Sequence, residues 1–394
     1  MTSTPRQPTS YSRLAQGFIP WLLLCGCALG LWRAQDVAAT PSPQPALHAS
    51  QNALELERRC AECHVDVTDQ FATAPHAQTL LRVSEANLMS SLANREFVHP
   101  KTGVPYKLES AGEELHIASP AYGREAAVAW CFGSGHHART PLITWRDPDG
   151  ALASIEPLVT WFPDNTLDVT PGMEKLEETY SVFAMGVLHP PQETTGCFGC
   201  HVTHLPLEEG RISFDGIQPG VRCARCHTDL ERHVSDMDAG RDTTIERFSQ
   251  LSPHESVFRC GECHRRASEM GAKPSPQDTS LIRFASVGLV ESSCFLNQGD
   301  VQLSNGETAR LDCTTCHSPH SATDTDWRTH VAACIKCHDE NHTDLVHCPQ
   351  AGNEANCLPC HMPKVPQNSH LSFTDHWIRI RDHLPSPEGD APER

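Results

Sequence analysis

The chain has little of the material from which a 394-residue protein ordinarily builds its interior. Aromatic residues are 6% of it, with only 4 Tyr and 7 Trp, while 24 Gly and 30 Pro break the rest into short stretches. A conventional large core is therefore not available. Positive charge is also scarce: 31 Lys and Arg face 49 Asp and Glu, for a formal net charge of −18. A nucleic acid needs a basic face to neutralise its phosphates, so this balance argues against that partner. The N-terminal apolar run, Phe18 to Trp32, has 15 residues and is interrupted by Pro20 and two glycines. A comfortable membrane span wants about 20. With Arg6 and Arg13 ahead of it and no acid, the run reads as a signal-peptide pattern, with a cleavage site after Val37-Ala38-Ala39. An uncleaved anchor, or lipid on Cys27, stays open. Residues 1–39 are thus expected to export the chain to the periplasm or the outer face of the cytoplasmic membrane.

What the sequence does have is 19 cysteines and 24 histidines, and their arrangement is not random. Cys-x-x-Cys-His occurs seven times, beginning at Cys60, Cys197, Cys223, Cys260, Cys313, Cys334 and Cys357. Chance would produce about 0.06 such matches at these residue counts. Every Cys-x-x-Cys in the chain is followed by His. A zinc site draws four ligands from separated pairs and has no use for a histidine behind each second thiol; neither has a redox dithiol. Covalent c-type haem attachment uses all three side chains, two thiols as thioethers to the porphyrin and the imidazole on the iron. The thioether cysteines are then Cys60 and Cys63, Cys197 and Cys200, Cys223 and Cys226, Cys260 and Cys263, Cys313 and Cys316, Cys334 and Cys337, and Cys357 and Cys360. The proximal iron ligands are His64, His201, His227, His264, His317, His338 and His361.

Seven haems supply the missing apolar mass. The expected fold is mainly α-helical and irregular, a multihaem cytochrome c fold wrapped around packed haems, with a small β-hairpin-rich insertion. Its expected parts are a leader (1–39), a Pro/Ser/Ala-containing linker (40–57), a first haem segment (58–97), the β-rich insertion (98–170), a hexahaem domain (171–383) and a disordered tail (384–394). The insertion is read from two hairpins, one turning at Ala111-Gly112 and one at Asp147-Pro148-Asp149-Gly150. It is expected to pack on the haems through Trp130, Trp145 and Trp161. Short helical turns are expected at 229–232 and 244–251. His136 and His137, on a Gly-Ser-Gly turn, read as a solvated pair.

The iron's sixth ligand separates carrier from catalyst, because a filled axial site exchanges electrons and an open one binds small molecules. Methionine is scarce and Met362 is badly placed behind His361, whereas histidines outnumber the proximal ones amply. Bis-histidine ligation is the default.

Particular segments also carry a resemblance. CHSPH at 316–320, APHA at 74–77, SPHES at 252–256, GVRCARCH with His233 six residues on, and CLPCHMPK followed by FTDHWIR at 373–379 resemble the c-554-like multihaem cytochromes c. The resemblance covers roughly residues 58–380, the β insertion least securely. It implies an electron carrier with closely packed haems, and relatives include multihaem oxidoreductases of nitrogen and sulfur compounds. It also implies distal ligands at His320, His76, His254, His233 and His376, with His204 and His342 weaker and His330, His189 and His347 as rivals. All seven motifs end in His, without the Lys of some reductases, and no tyrosine cross-link signature is recognisable.

Cys131, Cys294 and Cys348 remain, and Cys294 with Cys348 is the expected pair if one disulfide forms; buried thiols are the alternative. Without residues 1–39 the chain carries 28 basic and 48 acidic side chains, and seven ferric haems with their propionates take the total to about −27. The expected partners are a redox-protein donor and acceptor, a membrane quinol-oxidising complex among the possibilities for the donor. The competing reading is an oxidoreductase converting a small nitrogen or sulfur compound at one open haem. The sequence leaves the oligomeric state open.

Overall fold

The structure, a computed structural model, describes residues 53–84, 88–112, 114–119, 123–174, 185–214, 216–338, 348 and 355–381. All of them fall in the compact unit Ser42–Arg394. The leader, the linker up to residue 52 and the tail lie outside the described residues.

Two antiparallel sheets carry most of the strands. One holds β2 (Arg95–Val98), β3 (Pro105–Ala111), β4 (Glu114–Ser119) and β5 (Arg124–Val128) in sequential order. The other holds β1 (Leu80–Arg82), β6 (Trp130–Phe132), β7 (Thr140–Arg146), β8 (Leu152–Pro157) and β11 (Gly186–His189), with β9 (Val159–Trp161) and β10 (Leu167–Val169) as a separate ribbon. The β3–β4 hairpin alternates inward Tyr106, Leu108, Leu115 and Ile117 with outward residues and turns through Gly112 at φ 69°. Each fully buried Leu or Ile contributes roughly 1.5–3 kcal/mol. The β7–β8 turn is held by Asp147, whose Oδ1 accepts the Asp149 and Ala151 amides at 3.0 and 2.8 Å. The strands of these two sheets and the ribbon run from Leu80 to His189, wider than the 98–170 read from turn chemistry. The outer strands come from flanking segments, where no hairpin turn announces them: β1 pairs with β6 and β11 with β8.

The helices are α1 (Ala53–Cys63), α2 (Val65–Phe71), α3 (Leu88–Leu92), α4 (Pro191–His201), α5 (Cys223–Cys226), α6 (Leu230–Asp238), α7 (Pro253–His264), α8 (Ala285–Val290), α9 (Ser293–Asn297), α10 (Cys313–Cys316), α11 (Trp327–Ile335) and α12 (Leu358–His361). Most are a few turns at best. α7 is the best specified, starting with a Ser252–Glu255 capping box and Pro253 in its first turn. The stretch 244–251 forms only a 3₁₀ turn at Phe248–Gln250; the β-branched Thr243, Thr244 and Ile245 favour extended backbone. None of the described helices is long and apolar enough to cross a membrane.

Small apolar clusters join these parts. Leu56 of α1 packs with Ala224 of α5 and Leu230 of α6, and Arg59 bridges to Asp238 at 2.5 Å. The first motif therefore docks against the third. Leu80, Trp130, Leu142 and Leu152 meet Phe198 of α4, with Trp130 edge-on to Phe198 at 5.6 Å between ring centres. Of the three tryptophans expected to bridge sheet and haem motifs, only Trp130 does so. Trp145 and Trp161 pack on the sheets' own core, because their strand positions alternate toward Leu108, Ile143 and Val159.

Candidate haem-binding cavity

Each motif sits on a helical turn. The histidine amide bonds back to the first cysteine's carbonyl, as from His64 to Cys60 at 2.8 Å, His227 to Cys223 at 2.9 Å and His361 to Cys357 at 3.0 Å. Positions i, i+3 and i+4 share a helix face, so both thiols and the imidazole are presented to the same side. That is the physical content of the Cys-x-x-Cys-His spacing.

All seven motifs open onto one cavity of about 4110 Å³, against about 300–1,000 Å³ for an ordinary small-molecule pocket. All seven proximal imidazoles line it; of the motif cysteines, Cys63 and Cys197 do not. The candidate distal residues divide. His76, His233, His320 and His376 line the cavity, and His204 and His254 do not. His204 lies in a short strand, Val202–His204, and His254 is exposed at the start of α7, edge-on to Phe295 at 4.8 Å. Of the rivals, His189 lies on β11 between Glu156 and Glu193; the candidate His342 and the rival His347 lie outside the described residues.

The four lining candidates each face a proximal imidazole. Ring centres are 6.4 Å apart for His64 and His233, 6.1 Å for His227 and His320, 6.1 Å for His264 and His76, and 6.2 Å for His317 and His376. Two imidazoles bound trans to one metal, with metal–nitrogen bonds of about 2.0 Å, have ring centres about 6 Å apart. His330 also approaches His317, at 5.5 Å, but its Nε2 is engaged with the Asp324 carbonyl at 2.8 Å. Among the described residues, no three or more His, Cys, Asp or Glu converge as a metal-ion site. Donors that come as opposed pairs fit a porphyrin, whose own nitrogens fill the plane, and do not fit tetrahedral zinc.

Backbone carbonyls aim several of these rings. His201 Nδ1 lies 3.0 Å from the Thr79 carbonyl, His361 Nδ1 3.1 Å from that of Arg379, and His376 Nδ1 2.9 Å from that of Thr374. Donation through Nδ1 leaves Nε2 with its lone pair toward the cavity, the usual device for orienting a metal-bound imidazole. Burial pushes the pKa of His76, His201, His227 and His376 down, and takes His264 and His317 to about 4, so these imidazoles are neutral, the form that binds metal.

Two glycines place distal residues. Gly220, at φ 79°, lets the chain pass so close to Ala77 that a Cβ would lie 2.2 Å from its carbonyl oxygen, and the next amide, Val221, bonds the His76 carbonyl at 2.8 Å. Gly288 on α8 abuts the other ligand segment; a Cβ there would meet the Trp377 nitrogen at 2.7 Å. Ser292 Oγ accepts the Ile378 amide at 2.8 Å and lies 3.2 Å from the His376 carbonyl. Sequence reasoning missed these supports; Gly220 directly before Val-Arg-Cys is the one visible signal.

Cysteines of different motifs also meet. Cys60 neighbours Cys223, Cys200 neighbours Cys263, and Cys260 neighbours Cys313. The motifs therefore neighbour one another across the chain order. The expected Cys294–Cys348 bridge is absent: both thiols are free, with Cys337 beside Cys294 and Cys348 beside Cys357. Cys131 is fully buried on β6, its thiol pushed up to about 12 by desolvation.

Residues 171–228, which span the second and third motifs, match the family described as cytochrome c554 and c-prime. The match supports an electron-transfer cytochrome of the c type, with covalently bound haem. No curated protein matches the chain. Among solved structures the chain is similar to the outer cell wall cytochrome OcwA, at 12% identity and a TM-score of 0.44 over 82% of this chain and 78% of that one, a likeness too slight to carry an argument about function.

Proposed function

We propose that the chain is a heptahaem c-type cytochrome of the periplasm or the outer face of the cytoplasmic membrane, carrying electrons between a redox-protein donor and a terminal acceptor. The observation that carries the reading is the cavity itself, with seven proximal imidazoles on its wall and four of them opposed by a second imidazole at 6.1–6.4 Å. When bound there, haem supplies one-electron chemistry at iron. The chain's part would be to hold iron with its proximal imidazoles and, at the four opposed pairs, with a second one, to fix rings through carbonyls, and to bury the sites, which would set their potentials. The nearness of cysteines of motifs 1 and 3, 2 and 4, and 4 and 5 supports closely packed haems, as electron passage requires. The acidic surface favours partners with basic docking patches, and the donor of choice is a membrane quinol-oxidising complex.

Axial ligation by two histidines at every iron predicts an all-low-spin spectrum in both redox states. Carbon monoxide should leave the reduced protein unchanged. Binding of carbon monoxide to one haem equivalent or more, with a high-spin signal that a small nitrogen or sulfur oxyanion abolishes, would replace this reading with that of an oxidoreductase.

A further inference from the structure

We propose that Glu57 of α1 takes up a proton when the haems of motifs 1 and 3 are reduced and gives it back when they are oxidised; the inference rests on the haem reading above. Glu57 stands where the two motifs meet. It follows Leu56, which packs on Ala224 of α5 and Leu230 of α6, and it lies one turn before Cys60 on the same face of the helix. Its carboxylate is near enough to act electrostatically on the Cys60 thiol and on that of Cys223, the first residue of α5.

The carboxylate is buried and poorly paired. Only 13% of the side chain is exposed, and Oε1 is sealed from solvent with no described group donating to it. Arg222 Nη1 stands 3.6 Å from Oε2, an ion pair without a close hydrogen bond, and the buried Gln218 side chain lies beside it. Neither Glu57 nor Gln218 lies on the wall of the haem cavity, so protein encloses the group. The thioether edge of a porphyrin is the one away from its propionates, which keeps those charges at a distance too. Burial pushes the carboxyl from the usual 4.5 up to about 7, against the pull of Arg222 and Gln218. The remaining charges nearby are occupied elsewhere: α6 presents Asp238, paired with Arg59, while on α1 Glu55 pairs with Arg58 and Glu62 with Arg59.

Oxidation adds one positive charge at an iron and so favours the carboxylate, and the carboxylate in turn favours ferric iron. The coupling is reciprocal. Oxidation therefore lowers the carboxyl's proton affinity, and the potentials of the two haems fall as pH rises through neutrality. They level off where Glu57 is protonated, or ionised, in both oxidation states. On reduction the electron comes from the redox-protein donor and the proton from water past Arg222, whose side chain is 40% exposed. On oxidation the acceptor takes the electron and water takes the proton.

The test is a redox titration of the haem-loaded protein at acid, neutral and alkaline pH, resolved by electron paramagnetic resonance. Glu57→Gln keeps the shape of the protonated acid. Two of its haems should match the parent at acid pH and lie higher at alkaline pH, by about 59 mV for a tenfold coupling of a one-electron couple. Glu62→Gln, which alters an exposed acid of the same helix, should match the parent throughout. Propionates titrate alike in all these proteins, so the difference between parent and variant is what is read. A difference that is absent, constant with pH, or spread over all the haems overturns the proposal. Arg222→Gln keeps the acid and removes the cation facing it, so the fall in potential should move to higher pH. A fall that stays in place or moves lower overturns the proposal, and this arm decides the matter if Glu57→Gln does not mature. A parent without covalent haem would bring down the haem reading itself, whereas a loaded parent matched at every pH by Glu57→Gln refutes this inference alone.

Discussion

His376 shows how far a single position depends on others. Its Nδ1 is held by the Thr374 carbonyl at 2.9 Å, its own carbonyl lies 3.2 Å from Ser292 Oγ, and Gly288 gives its segment room. A side chain at residue 288 would collide with backbone rather than with a movable group, so the His376 segment would have to shift. Gly288→Val should therefore reproduce His376→Ala: one haem equivalent goes from low to high spin, with haem content unchanged. Electron paramagnetic resonance of the oxidised protein reads this directly, and a parent-like spectrum in Gly288→Val would show that the segment tolerates the shift. The attachment cysteines and proximal histidines are legible in the sequence because the chemistry needs them at fixed local spacing. Which proximal imidazole each distal candidate faces is not, since each comes from a distant segment: His76 faces His264, and His233 faces His64. His320 stands three residues behind its own motif's histidine yet faces His227. No local pattern encodes that partnership.

At the scale of elements, the hairpins were legible wherever a turn residue stands between alternating strands, at Gly112 and at Asp147 to Gly150. The edges of the sheets were not, because β1 and β11 pair with strands distant in sequence. Nor could composition tell which tryptophan joins the sheet to the motifs. Trp130 does so, with 1% of its surface exposed, between Phe198 of α4 and the Arg82 guanidinium 4.3 Å from its ring centre. Trp130→Ala should cost about 3–5 kcal/mol of stability, the range for emptying a large aromatic site. The loss belongs to the interface that carries the second motif, so thermal denaturation followed at the haem bands should show that motif's haem losing its axial ligation first. Equal stability of variant and parent would mean that the sheet and α4 are held together by something else.

The whole molecule is best understood from what lines its interior. The largest apolar clusters belong to the sheets and to their junction with α4, whereas the part built on α5 to α12 has only small groups such as Val257, Leu289 and Phe295 around a cavity of about 4110 Å³. A protein cannot leave such a space without partner atoms, because interiors are packed as densely as organic crystals. On the proposed reading, the fold of that region is conditional on its haems, and the scarcity of aromatics in the sequence has the same cause. The most direct measurement is the mass of the chain after expression in a host that matures c-type cytochromes. The account predicts the polypeptide plus seven haems, lost in steps of one when each Cys pair is replaced by Ala. A mass equal to the amino acids alone, or one unchanged by removing any of the seven pairs, would contradict it.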